Sequence, residues 1–179
     1  MVLIGPHPRQ RWLREAVEKR LREEVAILQV TVNEPKSRIV DLAKGASFGC
    51  LGFDLRRIRS RAGRWMPLRL PQGKKRTALL RRLQEECRRL DSQPVTQVIA
   101  VINPIVRGWV TYFAFGHASR CFAYVRRWVE KKVRRHLARA CKRRGFGWKR
   151  WSSRWLYDPL GLFDAYRVTY RPSATAAPV

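Results

Sequence analysis

Between residues 9 and 26 the apolar positions Trp12, Leu13, Val17, Leu21 and Val25 recur every three to four residues among Arg and Glu. That spacing predicts an amphipathic helix covering something with one face. The pattern then changes to period two. ILQVTVN (27–33) and SRIVDL (37–42) are β-branched and alternating, and they are joined by Asn33-Glu34-Pro35-Lys36. Proline cannot donate to a ladder, so a hairpin or tight strand connection is predicted there. SFGCLGFDLRRI (47–58) reads as a third extended segment, with Gly49 and Gly52 suited to a bulge or a close backbone approach. Ser60-Arg61-Ala62-Gly63 reads as a hairpin tip leading into Arg64–Leu68.

Leu70-Pro71-Gln72-Gly73-Lys74-Lys75-Arg76 interrupts both periodicities, and beyond it the pattern is helical. Thr77 can cap a helix over 77–90, and Pro94–Ile102 reads as a short apolar helix. Asn103 as N-cap with Pro104 at N1 then opens another, through Ile105, Val106, Trp109, Val110 and Phe113. After a break at Gly116–Ser119 the longest helix runs from Ser119 to about Arg144, stopped by Gly145. Phe122, Val125, Val129, Val133, Leu137 and Cys141 share its face, and Trp155, Leu156, Leu160, Leu162 and Phe163 are expected to cover the end of the bundle. The fold class is thus α+β: a helix on a small antiparallel sheet over 1–70, a helical bundle over 71–171, and a patternless tail over 172–179 expected to be disordered.

Charge changes the picture. The 179 residues carry 39 Lys and Arg against 13 Asp and Glu, a formal net charge of +26, and 30 of the cations are Arg. Self-repulsion of that size points to a polyanionic partner, nucleic acid first and an anionic membrane surface second. From Arg126 to Arg150 there are 12 Lys or Arg and one acid, Glu130. Like charges at i,i+4 repel, so a merely solvated helix face would favour mixed signs. Arg126, Arg127, Lys131, Lys132, Arg134, Arg135, Arg139, Lys142 and Arg143 are the candidate phosphate contacts, and His136 is expected to reinforce their charge. Just beyond, Trp148 and Trp151 interleave with Lys149 and Arg150, an arrangement that suits stacking of unpaired bases or, equally, packing on the bundle.

Other chemistries fall away. No run of 18 apolar residues occurs and the first residues are too short for a signal h-region, so a cytoplasmic protein without membrane attachment is expected. Cys50, Cys87, Cys121 and Cys141 are far apart and do not cluster with His7, His117 or His136, which argues against a zinc site or a disulfide framework. The Asp residues are isolated, and no phosphate-cradling glycine loop or nucleophile elbow is present. A two-metal polymerase or nuclease centre needs carboxylates brought together, so neither catalytic residues nor a metal site are expected.

Three segments in order carry a family resemblance: Asn33-Glu34-Pro35-Lys36-Ser37-Arg38-Ile39-Val40, Phe48-Gly49-Cys50-Leu51-Gly52-Phe53, and Ile102-Asn103-Pro104-Ile105-Val106-Arg107-Gly108-Trp109-Val110-Thr111-Tyr112-Phe113. They resemble the reverse transcriptases encoded by bacterial group II introns, the last segment being similar to the hallmark of the maturase-specific thumb. The resemblance implies that Lys36 lies near nucleotide phosphates, that Leu51, Gly52 and Phe53 form a primer-grip turn, and that Arg107 and Trp109 can face RNA; on the residues themselves Trp109 is expected in the core and Arg107 toward solvent or phosphate. It also implies that Met1–Ile4 is the strand following the Tyr-Ala-Asp-Asp turn of such polymerases. The expectation is therefore a maturase fragment that binds structured RNA, in particular group II intron RNA, and assists its folding or splicing without polymerase chemistry of its own. No cofactor is expected, magnesium entering only with a complementing fingers and palm polypeptide. The alternatives are the C-terminal part of an RNA-directed DNA polymerase active only with those missing parts, and a general basic nucleic-acid-binding protein. A palm remnant should also expose an edge and apolar surface over 9–58.

Overall fold

The computed structural model describes residues 12–169 apart from Pro35, Lys36, Arg38 and Phe146, and the chain divides into two compact units between Phe48 and Gly49. Lys36 and Met1–Ile4, both singled out above, lie outside the described residues.

In the first unit the expected helix forms as α1 (Trp12–Ile27). Ion pairs one turn apart, Arg20–Glu24 at 2.6 Å and Arg22–Glu18 at 3.0 Å, line its polar side. None of its residues is buried, and Trp12, Leu21 and Ile27 stand exposed. The strands expected over 27–33 and 37–42 do not form among the described residues. The chain turns at Gln29 (φ 53), bonds Ser37 back to the Asn33 carbonyl at 3.0 Å, and closes with a 3₁₀ turn over Leu42–Lys44. Alternation says only which side chains would share a face; a strand exists when a neighbouring backbone supplies donors and acceptors. Leu28, Val30, Val32 and Ile39 are left exposed.

The extended segment 47–58 is two strands, β1 (Ser47–Cys50) and β2 (Phe53–Arg59), and the sheet is completed by β3 (Trp65–Pro71) in the order β1-β2-β3. Leu51 and Gly52, at φ 48 and 81, make the reversal between the first two. That conformation is the one a two-residue hairpin turn needs, natural for glycine and strained for leucine. β2 and β3 are antiparallel, with Phe53 opposite Pro71 and Arg59 opposite Trp65.

The second unit then builds α2 (Gly73–Arg89), α3 (Val95–Phe113), α4 (Ser119–Ala140) and the short α5 (Ser153–Tyr157). Three details depart from expectation. α2 begins at Gly73, and Thr77 lies inside it, donating to the Gly73 carbonyl at 3.1 Å. Residues 95–113 are one helix through Pro104, so Asn103 caps nothing at an N-terminus. Its amide is used across the fold: Nδ2 donates to the Gly161 carbonyl at 2.8 Å and Oδ1 accepts from the Phe163 N–H at 2.9 Å, pinning the C-terminal segment onto α3. Burial of Val98, Ile99, Ile102, Val106 and Val110 on both sides of the proline keeps the helix continuous despite its missing donor. α4 stops at Ala140, before Gly145, because Lys142 takes the left-handed conformation (φ 51). Its N–H bonds the Arg139 carbonyl at 2.8 Å while Arg143 N–H bonds the Ala138 carbonyl at 2.7 Å. This pairing satisfies the last carbonyls of the helix in a Schellman arrangement.

The core lies between α2, α3 and α4: Leu79, Leu83 and Cys87 meet Val98, Ile102, Val106 and Phe113 and the Phe122, Val125, Val129, Val133 stripe. Leu156 and Leu162 join it and Leu160 and Phe163 pack partly against it, as expected, whereas Trp155 is exposed. Leu83, at 1% exposure, sits inside, while Leu21 on α1 is 51% exposed. Leu83→Ala should therefore cost about 2–5 kcal/mol in urea unfolding, and Leu21→Ala should fall within about 0.5 kcal/mol of wild type.

Candidate nucleic-acid interface

α4 is amphipathic in an unusual sense: one face is aliphatic and the other is almost wholly cationic. Arg127, Lys131, Arg135 and Arg139 fall at intervals of four, so they form one row, and all are exposed. Arg126, Lys142 and Arg143 are exposed beside it, and so are Arg107 on α3 and Lys149 and Arg150 after α4. Two of these cations, Arg139 of the row and Arg126 beside it, are held by neighbours. Arg139 reaches Asp91 at 2.7 Å, and Arg126 donates to the Tyr157 oxygen at 2.9 Å with its guanidinium over that ring. Lys132 is half-buried, its ammonium 4.9 Å from the Trp128 ring and 3.4 Å from Gln84 Oε1. Burial, then the charge of Arg135, lowers its pKa below the usual lysine value.

Arg134, expected among the phosphate contacts, and Trp151, read equally as a stacking or a packing residue, are not part of that surface. Arg134 is 1% exposed because position 134 points into the bundle, one residue from the row. It donates to Glu130 Oε2 at 2.9 Å, to the Trp151 carbonyl at 2.8 Å and to Ser153 Oγ at 3.1 Å. Tyr157 and Ser153 both donate to Glu130 as well. Burial pushes the Glu130 carboxyl up, but the hydrogen bonds from Tyr157, Arg134 and Ser153 outweigh it and hold the group below its ordinary value. Burial and the Glu130 carboxylate raise the Tyr157 phenol, which therefore remains a donor. Trp151 is 7% exposed and belongs to the core, while Trp148 is 50% exposed. His136, expected to reinforce that surface, is also buried and is not part of it. Its Nε2 lies 2.9 Å from the Gln93 carbonyl, so it serves as the donor joining α4 to the α2–α3 connection.

The Leu51–Gly52 turn is held by α3 and the start of α2. Tyr112 Oη donates to the Leu51 carbonyl at 2.7 Å, Gln72 N–H to the Gly52 carbonyl at 2.9 Å, and Phe53 packs edge-on against Phe113 with centroids 4.9 Å apart. A Cβ at Gly49 would lie 2.2 Å from the Gln72 amide nitrogen, so glycine there lets that side chain reach the Phe53 carbonyl. Leu51 and Gly52, Lys75 and Arg82 of α2, and Trp109 and Tyr112 of α3 line a groove of about 800 Å³. The sequence reading missed the cations of this region: Lys74, Lys75, Arg81 and Arg82 on α2, and Arg56, Arg57, Arg59, Arg61 and Arg64 on the β2–β3 hairpin. By register, Arg57, Arg59, Trp65 and Arg69 share one face of that ribbon, with the Arg57 guanidinium 4.5 Å from the Trp65 ring. Five arginines in the nine residues 56–64 were the available signal.

Among the described residues no three His, Cys, Asp or Glu side chains gather as a metal-binding group, and no helix is long and apolar enough to cross a membrane. Residues 76–155 match the family described as the group II intron, maturase-specific domain, which spans α2, α3, α4 and the start of α5. No curated protein matches the chain.

The Glu130–Arg134 pair fixes a stability prediction. Because the folded carboxyl titrates below an unfolded one, its contribution is fully present above the unfolded value of about 4.3 and is lost as pH falls through the folded value. Glu130→Gln should cost about 3–5 kcal/mol at pH 7, since it leaves Arg134 buried without its counter-charge. Urea unfolding from pH 7 to pH 3 should show the gap between the two proteins narrowing with acid; a constant gap would contradict the assignment.

Proposed function

We propose, on the premise that residues 76–155 form a group II intron maturase-specific domain, that this chain is an RNA-binding maturase that assists folding or splicing of group II intron RNA by electrostatic and positional means rather than by bond chemistry. The observation that carries the reading is the row Arg127, Lys131, Arg135 and Arg139 on a helix whose opposite face is core. An intron that compacts brings phosphates together, and a rigid line of guanidinium and ammonium groups lowers that repulsion without reading sequence. Arg107, Lys142, Arg143, Lys149 and Arg150 extend the contact. The arginine ribbon of β2–β3 and the cations of α2 supply further phosphate ligands, and Arg is the side chain that takes a phosphate through two parallel donors.

The groove beside Leu51 and Gly52 favours a second reading, in which the chain works with a fingers and palm polypeptide and its magnesium site. Lys75 and Arg82 would hold a strand whose end lies at the backbone of the turn. Primer extension with the chain added to such a polypeptide tests it: stimulation dependent on Lys75 and Arg82 supports the reading, and none refutes it.

For the leading reading, binding to intron RNA should be steeply salt-dependent. With about six to ten phosphate contacts, affinity should drop by about 10³ to 10⁵ between 50 and 200 mM salt. Neutralising Arg127, Lys131 and Arg135 together to Gln should flatten the log–log slope by roughly two to three. Filter binding against a ribosomal RNA segment of matched length checks specificity. A flat salt response, or no preference for the intron, would overturn the proposal.

A further inference from the structure

After α4 the backbone is shaped around two indoles, one buried and one half-exposed, that line the same cavity. Gly147 has φ +61, and a Cβ there would lie 2.3 Å from the Trp151 ring, so glycine is what lets the chain cross that buried ring. Trp148 carries the guanidinium of Arg134 over its ring, 4.1 Å from the centroid, yet half of its surface remains exposed. Arg134 cannot follow the indole outward, because Glu130, Ser153 and the Trp151 carbonyl all hold it. The ring is thus backed by a clamped cation while half of the residue stays exposed. Beside it lies a cavity of about 440 Å³ whose wall includes Arg143, Arg144, Lys149 and Arg150. That volume is within the range of pockets that take a small molecule or one residue of a polymer.

We infer that Trp148 is the stacking platform for one unpaired base of the bound RNA, with Arg143, Arg144, Lys149 and Arg150 holding the phosphates on either side of it. The inference rests on the RNA-binding reading and adds the kind of nucleotide recognised. A base inside a duplex has both faces covered by its neighbours; only a bulged, looped or terminal base can offer a face to a side chain. A ring already fixed by Arg134 loses little freedom when the base arrives, so most of the stacking energy is kept. Stacking is tolerant of base identity, with purines favoured by their larger overlap. Trp151, which is buried, forms part of the wall of the same cavity.

The test uses the full chain and two RNA hairpins that differ at one position, a single bulged adenosine or an abasic residue in its place, with binding followed by fluorescence anisotropy. Wild type should prefer the adenosine hairpin by roughly ten- to a hundredfold. Trp148→Ala should abolish the preference and Trp148→Tyr should restore most of it, with circular dichroism showing both variants folded. The comparison of the two hairpins on wild type needs no variant at all, so a misfolded substitution does not leave the question open. Equal binding of the two hairpins by wild type, or a preference that survives in Trp148→Ala, would overturn the inference. If wild type binds neither RNA in a salt-dependent way, the RNA-binding reading fails first and this inference falls with it.

Discussion

A guanidinium keeps its charge at every pH at which the protein is folded, so burying Arg134 requires a fixed counter-charge and a full set of acceptors. Glu130, the one acid between residues 126 and 150, supplies that charge one helical turn away. The remaining partners come from the segment after α4: the Trp151 carbonyl, Ser153 and, through Glu130, Tyr157. One ion pair therefore fastens α5 and its approach to the longest helix. The alternative, an apolar pair of the same shape, could be as stable, but it would not orient the following chain, since dispersion contacts carry little direction. The position of Trp148 and the order of the C-terminal segment both follow from it.

The rest of the helical unit answers a different constraint, the separation of an aliphatic core from a large excess of positive charge. α4 does this within one helix, and α2 repeats it with Leu79, Leu83 and Cys87 inside and its Lys and Arg outside. Cations gathered on one surface repel, and that repulsion subtracts from stability until a polyanion takes it up. A polyanion that relieves the repulsion would therefore also stabilise the folded chain. The apolar side chains of α1 and residues 28–39 pose the opposite problem, exposed hydrophobic surface without a charge imbalance of similar size.

Much of the fold was legible in the chain. The 3-to-4 spacing of Trp12 to Val25, of Leu79 to Leu90 and of Phe122 to Leu137 marked three helices, and each is present; the apolar face is buried in the last two but not in the first. The turn at Ser60–Gly63 was legible from its composition, as was the extended character of 47–58, though not its division at Leu51, whose left-handed conformation is one that leucine rarely takes. Asn103 shows the limit. Asn followed by Pro is a strong local signal for a helix start, yet here both lie inside a helix, and the amide bonds a segment some sixty residues away. Local preference was overridden because apolar residues on both sides of Pro104 bury the same face.

What the sequence by itself determined is the periodicity of the helices, their apolar faces and the polyanion-seeking charge. These are properties of neighbouring residues and of totals, and they need no knowledge of the fold. Tertiary structure alone decided which cations are exposed: Arg134 and Arg135 are adjacent and chemically identical, yet one closes a buried ion pair and the other lies at the surface. The same holds for Trp148 and Trp151, and for the alternating segments of 27–42 that found no ladder partner among the described residues. In each case the outcome depends on a group distant in sequence, a carboxylate, a ring or a strand edge, and pairing energies between such groups exist only once the chain has brought them within a few ångströms.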